Sequence, residues 1–227
     1  MRYCSGVRLT LTFDNGPFPD VTPGVLDALA AAQASATFFV CGKEARDPQR
    51  RPLLEAIRAA GHRIGNHTDS HRVELGATRD PDAPRREIEG AQAALADFCD
   101  ADKLFRPYGA GGVLGPRLLS PAAVRHLCDG GYTCVLWNCV PRDWEDPGGW
   151  PARALVDLRA NDWTLLVLHD LPTGAMRALP EFLARARDAG AELTAELPPE
   201  CVPIRRGRVV GELEGLVGDG LDATGAA

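Results

Sequence analysis

The sequence contains no apolar run long enough to cross a membrane, which takes about 20 residues. It has no surplus of basic residues either, because 25 Lys and Arg stand beside 31 Asp and Glu, a net charge of −6. Phosphate binding needs a basic face, so nucleic acid is excluded as the main partner. The first strand-like run begins at Val7 and leaves no room for a signal peptide. We therefore expect a cytoplasmic protein without a membrane partner.

Cysteine pairs at metal-binding spacing are also absent. None of the seven cysteines forms a C-x-x-C pair, and their number is odd. This pattern argues against a disulfide framework and against a zinc–thiolate site. We interpret these cysteines as small, buried, apolar residues of a cytosolic chain. They are Cys4, Cys41, Cys99, Cys128, Cys134, Cys139 and Cys201.

No internal repeat and no linker divides the 227 residues, so a single α/β domain is indicated. Strand-like and helix-like segments alternate, which predicts a parallel sheet that is closed or nearly closed. The predicted strands cover residues 7–13, 36–40, 62–66, 103–106, 132–138, 163–168 and 191–197. The predicted helices cover residues 25–33, 52–60, 82–99, 121–129, 151–160 and 175–189. The barrel domain would end at residue 197, and residues 198–227 would form a C-terminal extension that wraps the surface and frays.

Three of the predicted strands end in side chains that carry chemistry. The first runs into Asp14 and Asn15, the third into His67, and the sixth into His169. Catalytic groups of parallel barrels lie where the carboxyl ends of the strands gather. These side chains are therefore expected to share one site at one end of the barrel.

Two histidines, His67 and His71, are four residues apart. On one helical turn or in a compact loop, such a pair presents two imidazole nitrogens to one divalent metal ion. The simpler alternative is a surface hydrogen-bonding pair. For Asp14, the alternative to a catalytic role is that of a turn residue or helix cap.

Five short motifs, in this order, resemble those of the polysaccharide deacetylases of carbohydrate esterase family 4, the NodB-homology group. The resemblance extends from about residue 7 to residue 197. It implies a deformed (β/α)7 barrel and the removal of N- or O-acetyl groups from sugars with the help of one divalent metal ion. The motifs are T-F-D-N-G at residues 12–16, H-T-D-S-H at residues 67–71, R-P-Y-G at residues 106–109, D-W at residues 143–144 and L-V-L-H at residues 166–169.

Amide hydrolysis needs a group that takes a proton from water and an acid that protonates the leaving amine. Asp14 is the natural base and His169 the natural acid. By the resemblance, Asp143 would hold His169 in its tautomer, and Arg106 would orient Asp14. Because Asp14 is at a strand end, we expect its substitution to change folding stability little.

The resemblance also implies a metal site and a substrate pocket. His67 and His71 would bind a divalent ion, zinc in the first instance, and this ion would polarise water and the carbonyl group. The backbone N–H of Tyr108 would stabilise the oxyanion, and Trp144 would form part of the acetyl pocket.

Three positions depart from the family pattern. The second aspartate of the first motif, a metal ligand in the family, is Asn15 here. A neutral amide oxygen is a weaker ligand, so we expect the ion to be held more than about tenfold less tightly, or not to be needed at all. The third motif is one residue shorter than the common form, and Val140 stands where the fourth motif usually has aspartate.

These departures leave three functional hypotheses. We expect metal-assisted hydrolysis of an N-acetyl or related acyl group on an amino-sugar-like small molecule or oligosaccharide. The first alternative is a metal-independent amidohydrolase that opens a cyclic amide. The second is a catalytically silent ligand-binding barrel.

Overall fold

The structure is a computed structural model that describes residues 7–218 of the chain. Cys4 and the end of the predicted extension, residues 219–227, lie outside the described residues. The strands are β1 (Arg8–Asp14), β2 (Ala36–Val40), β3 (Arg63–Asn66), β4 (Leu104–Phe105), β5 (Thr133–Cys134), β6 (Trp163–His169), β7 (Glu192–Thr194), β8 (Ile204–Arg205) and β9 (Arg208–Val209). The α-helices are α1 (Thr22–Ala31), α2 (Gly42–Ala45), α3 (Arg51–Ala59), α4 (Gly90–Ala94), α5 (Pro121–Asp129), α6 (Trp150–Ala160) and α7 (Leu179–Asp188).

The strands form one curled sheet in the order β6-β1-β2-β3-β4-β5-β8-β9, and the first six of these are parallel. The segment after β5 returns to β6 through a bridge between Cys139 and Leu166, which brings the two ends of the parallel array together. β7 adds to the amino-terminal half of β1. The predicted single-domain, deformed (β/α)7 barrel is confirmed.

The alternating pattern of β1 explains how the barrel packs. Its apolar residues Leu9, Leu11 and Phe13 are buried in the same core cluster as residues of α1, α3, α6 and α7. The residues between them are polar, yet they are buried as well, and Thr12 donates a hydrogen bond to the carbonyl oxygen of Leu166 in β6. The sheet therefore buries an apolar face under the helices and a polar row on its other side.

The predicted fifth strand is much shorter than expected, because only Thr133 and Cys134 join the regular ladder. The next two carbonyl groups, of Val135 and Leu136, accept hydrogen bonds of 3.3 Å from the buried guanidinium of Arg106. These carbonyl groups bind a side chain, whereas the N–H of Val135 still donates to the carbonyl oxygen of Phe105 in β4 over 2.8 Å.

The predicted helix over residues 82–99 is also interrupted. A π-helical turn, Arg85–Glu89, leads into the short helix α4. The two strands β8 and β9 are not predicted from the sequence. Cys201 and Ile204 of that segment are buried in the core, and β8 pairs antiparallel with β5. The domain boundary at residue 197 stays a prediction. No helix in the described part of the chain has the length and apolar character needed to cross a membrane.

Candidate active site

The predicted site residues gather at the carboxyl ends of β6 and β1 and, beyond β2, of β3 and β4. Asp14 and His169 end β1 and β6 and are paired in register. Asn66 at the end of β3 is paired with Phe105 at the end of β4, so the next residues, His67 and Arg106, leave the sheet side by side.

Arg106 holds Asp14 at the bottom of the site. Its Nη1 atom donates to Asp14 Oδ1 over 2.7 Å and to Thr12 Oγ1 over 2.8 Å. The Arg106 side chain is fully buried, and its guanidinium lies 4.0 Å from the ring centroid of Phe39. Burial alone would raise the pKa of Asp14, but the combined influence of Arg106, His67 and His169 outweighs it, and the pKa lies below its ordinary value. Asp14 is therefore a carboxylate at neutral pH.

His67 is fixed in one tautomer by its neighbours. Its Nδ1 atom lies 2.9 Å from the carbonyl oxygen of Arg106, which only accepts hydrogen bonds, so Nδ1 carries the proton. The Nε2 atom then carries a lone pair and lies 3.5 Å from Asp14 Oδ2. Burial lowers the pKa of His67, against the raising effect of Asp14, so the ring is neutral at pH 7.

His71 lies beside His67, with 4.8 Å between the ring centroids. Burial, and the proximity of His67, lower the pKa of His71 to about 3, so this ring is neutral as well. Its other face packs on Tyr108, at 4.4 Å between centroids. The backbones of Thr68 and His71 have positive φ angles, of 63° and 55°, which shows that the pair sits in a compact loop and not on a helix.

His169 is held by Asp143. The Nδ1 atom of His169 lies 2.9 Å from Asp143 Oδ1, and the backbone N–H of His169 donates to Asp143 Oδ2 over 3.0 Å. Burial lowers the pKa of His169, but the hydrogen bond and charge of Asp143 outweigh it, and the pKa is raised above its ordinary value. Trp144 packs edge-on against the His169 ring at 4.7 Å between centroids.

A cavity of about 270 Å³ opens above these groups. Its lining combines polar side chains, namely Asp14, Asn15 and the three histidines of the motifs, with apolar ones, among them Trp137, Val140 and Trp144. Within the described residues, no Lys or Arg lines this cavity. Trp137 donates from Nε1 to the carbonyl oxygen of Gly112 over 2.8 Å and so fixes the loop that follows the third motif.

Asn15 lies in the left-handed backbone region, with a φ angle of 77°, which asparagine tolerates better than most residues. In the described part of the chain, no three His, Cys, Asp or Glu side chains are placed to share a metal ion. The donor set at the cavity is two neutral imidazoles and one amide. A metal-bound histidine must be neutral, and its second ring nitrogen is usually hydrogen-bonded, as Nδ1 of His67 is to the Arg106 carbonyl oxygen. This set of donors therefore fits a weakly held divalent ion.

Seven of the nine predicted site residues line the cavity, and the other two, Arg106 and Asp143, lie behind it and bind Asp14 and His169. Three contributors were not predicted: Thr12, Trp137 and Glu87. The Glu87 carboxylate accepts hydrogen bonds from the N–H groups of Asp69 and Ser70, in the loop between His67 and His71. For Thr12, the signal was the alternation of β1, which places it on the same face as Asp14. Glu87 is 16 positions beyond His71, and no sequence pattern connects the two.

Comparisons with known proteins agree with the five motifs. The family model for polysaccharide deacetylase matches residues 5–113. A chitooligosaccharide deacetylase of Sinorhizobium fredii is 35% identical over 163 residues, which cover 70% of this chain and 70% of that protein. A peptidoglycan-N-acetylglucosamine deacetylase of Bacillus cereus is 34% identical and aligns over 71% of this chain and 72% of its own length.

Solved structures with a similar fold include another carbohydrate esterase. A family 4 acetyl xylan esterase from Clostridium thermocellum, solved in complex with a cobalt ion, superposes with a TM-score of 0.66 and 26% sequence identity. The superposition covers 82% of this chain and 86% of that one.

Proposed function

The chain belongs to the polysaccharide deacetylase family, and we propose that it hydrolyses an N-acetyl group on an uncharged amino sugar or short oligosaccharide, with a weakly held divalent ion. The deacetylases of Sinorhizobium fredii and Bacillus cereus that resemble this chain are hydrolases of carbon–nitrogen bonds other than peptide bonds. The open questions for this chain are the substrate and the need for a metal ion.

The observation that carries the proposal is a pair of titratable groups with opposite pKa shifts. Asp14 has a lowered pKa and His169 a raised one. Environments that push two pKa values apart assign the base and the acid of a reaction. Asp14 is ionised and ready to take a proton, while His169 holds one longer than an exposed histidine.

The residues present supply each proton transfer. Asp14 takes a proton from the attacking water through Oδ2, since Oδ1 is occupied by Arg106. His169 protonates the departing amine through Nε2, since Nδ1 is bound to Asp143. Tyr108 lines the cavity. Its backbone N–H donates to no acceptor among the described residues, so it is available to donate to the oxyanion.

The metal ion would be held by His67, His71 and the amide oxygen of Asn15. When bound, it would polarise the substrate carbonyl and lower the pKa of water. His67 contributes a fixed Nε2 lone pair, because its other nitrogen is bound to the Arg106 carbonyl oxygen. The single missing carboxylate at Asn15 is the reason to expect weak binding.

The side chains that line the cavity favour an uncharged substrate. Within the described residues, the cavity lining offers no Lys or Arg side chain for a phosphate or carboxylate, but it presents the rings of Tyr108, Trp137 and Trp144. Aromatic and apolar walls with few polar groups are typical of small-ligand sites. A neutral N-acetylated sugar fits this lining, and the relatives from Sinorhizobium fredii and Bacillus cereus are deacetylases of chitooligosaccharide and of peptidoglycan N-acetylglucosamine.

Parallel assays test the proposal. An N-acetylated chitooligosaccharide and a cyclic imide are each incubated with the protein, with and without a chelator, and acetate release and ring opening are measured. We expect acetate from the sugar, lost with the chelator and restored by zinc. Ring opening that survives chelation, with no acetate, would establish the metal-independent amidohydrolase instead. Ligand binding without either reaction would establish the silent barrel.

A further inference from the structure

The loop between the two histidines has an unusual source of support. Its four consecutive backbone amides, from Thr68 to His71, each donate to a side chain. Thr68 N–H donates to Asn66 Oδ1 over 3.0 Å, and His71 N–H donates to Thr68 Oγ1 over 3.2 Å. The two amides between them both donate to one residue outside the loop, Glu87.

Glu87 makes three hydrogen bonds to this loop. Its Oε2 atom accepts from the N–H groups of Asp69 and Ser70 over 3.1 and 2.9 Å, and its Oε1 atom accepts from Ser70 Oγ over 2.8 Å. The residue is only 7% exposed. A buried carboxylate that accepts from two consecutive amides fixes the backbone more strongly than any neutral acceptor.

The element that carries Glu87 also holds the other side of His67. Glu87 lies in the π-helical turn Arg85–Glu89, and the carbonyl oxygen of Ile88 in that turn accepts from Asn66 Nδ2 over 2.8 Å. Asn66 directly precedes His67. The turn therefore binds the chain both before His67 and before His71, and π-helical turns are frequent next to functional sites.

The loop conformation is one that needs such support. Thr68 and His71 both have positive φ angles, which β-branched and bulky residues rarely adopt. Without acceptors for the amides between them, the loop loses the bonds that offset this strain. The ring of His71 would then leave its position between His67 and Tyr108.

We propose that Glu87 is a positioning residue, which shapes the loop so that the imidazoles of His67 and His71 converge on one ligand. The inference deepens the proposed function, since those two imidazoles are the ones assigned there to the metal ion. Glu87 does not line the cavity, and it acts through Asp69 and Ser70 alone.

Three substitutions test this role. Glu87→Met keeps the bulk of the side chain and removes all acceptors. Glu87→Gln keeps an oxygen for the two amides, and its NH₂ group can donate to Ser70 Oγ. Glu89→Met is the matched control on the same turn, because the Glu89 side chain is 56% exposed. If Glu87→Met does not fold, Glu87→Asp replaces it, since a shorter carboxylate cannot reach all three donors.

The measurements are zinc affinity by calorimetry, amide hydrogen exchange, and the NMR resonances of the His71 ring, which report its packing against Tyr108. For Glu87→Met we expect an affinity loss of about tenfold to a hundredfold. We also expect faster exchange at Asp69 and Ser70 and a shifted His71 resonance. Glu87→Gln, whose amide oxygen is a weaker acceptor than the carboxylate, should lie between the wild type and Glu87→Met, and Glu89→Met should match the wild type.

A purely structural role would lower thermal stability and leave the His71 resonance and zinc affinity unchanged, and that result would overturn the proposal. If the wild-type protein binds no zinc, the metal part of the proposed function fails, but the exchange and His71 measurements on the metal-free protein still decide the role of Glu87. Unchanged values of both in Glu87→Met, or in Glu87→Asp, would also overturn it.

Discussion

Asp14 and His169 are paired in register at the ends of the parallel strands β1 and β6, and their pKa values are shifted in opposite directions. Among the groups that shift these pKa values against burial, the strongest is a hydrogen-bonded partner on another segment: Arg106 for the aspartate and Asp143 for the histidine. The barrel thus places a base and an acid on adjacent strands. Two buried residues behind the cavity, Arg106 and Asp143, help to set their charge states.

Replacement of Asp14 by asparagine should lower turnover at least about a hundredfold, the low end for a general base. It should also lower the free energy of unfolding by about 3 kcal/mol, because the buried charge of Arg106 loses its partner. This differs from the expectation drawn from a strand-end position, since Asp14 is only 3% exposed. Acetate release and urea unfolding of the same samples provide the two values. A fully active variant would exclude Asp14 as the base.

The alkaline limit of activity should follow His169. Only its protonated form delivers a proton to the amine, so activity persists below its raised pKa and falls as the pH passes through it. Asp143→Asn removes the charge that raises this pKa, and the alkaline limb should move to lower pH, with kcat reduced about a hundredfold. The check is a profile of kcat against pH from 5 to 10.

Asp146→Asn serves as the control. Asp146 is exposed in the same loop, and it accepts a hydrogen bond from the N–H of Gly149. Its profile should match the wild type. An unmoved alkaline limb in Asp143→Asn would show that another group is the acid.

Much of this site was predictable, because motif residues at strand ends must converge in a parallel barrel. The strand-end positions of Asp14, His67 and His169 followed from apolar runs alone, and β2 was predicted with its observed bounds. These features depend on local patterns of burial, which the sequence records directly.

The remainder depends on contacts between distant segments. The regular ladder of the fifth strand ends where Arg106 binds carbonyl groups 29 and 30 positions away. The role of Glu87 and the strands β8 and β9 have the same origin. The pattern of apolar residues in the sequence does not predict a carboxylate that binds the amides of a distant loop. It does not predict a two-residue strand that is buried by its neighbours either.

Asp170 should make the protein less stable as the pH rises from about 4 to 6. Burial raises its pKa to about 6, and the hydrogen bond from Thr22 only partly opposes this. A carboxyl whose folded-state pKa is raised binds its proton more tightly in the folded state, so stability is highest below the unfolded value and declines until the folded value is passed. The expected decline is about 3 kcal/mol.

Asp170→Asn removes this titration. The difference in unfolding free energy between variant and wild type should therefore shift in favour of the variant between pH 4 and pH 7, as measured by urea unfolding at each pH. Asp188→Asn, at an exposed position at the end of α7, should show no such shift. A constant difference across this range for Asp170→Asn would contradict the raised pKa.

Asn15→Asp should tighten zinc binding by more than about tenfold, because a carboxylate replaces a neutral amide beside two neutral imidazoles. The substitution suits the backbone, since aspartate, like asparagine, tolerates the left-handed conformation at this position. Calorimetric titration with zinc measures the change. Asn161→Asp, at the end of α6 and outside the cavity lining, is the matched control and should leave the affinity unchanged. Equal affinities of the wild type and Asn15→Asp would show that this position does not contact the ion, and weak binding would then need a cause other than the missing carboxylate.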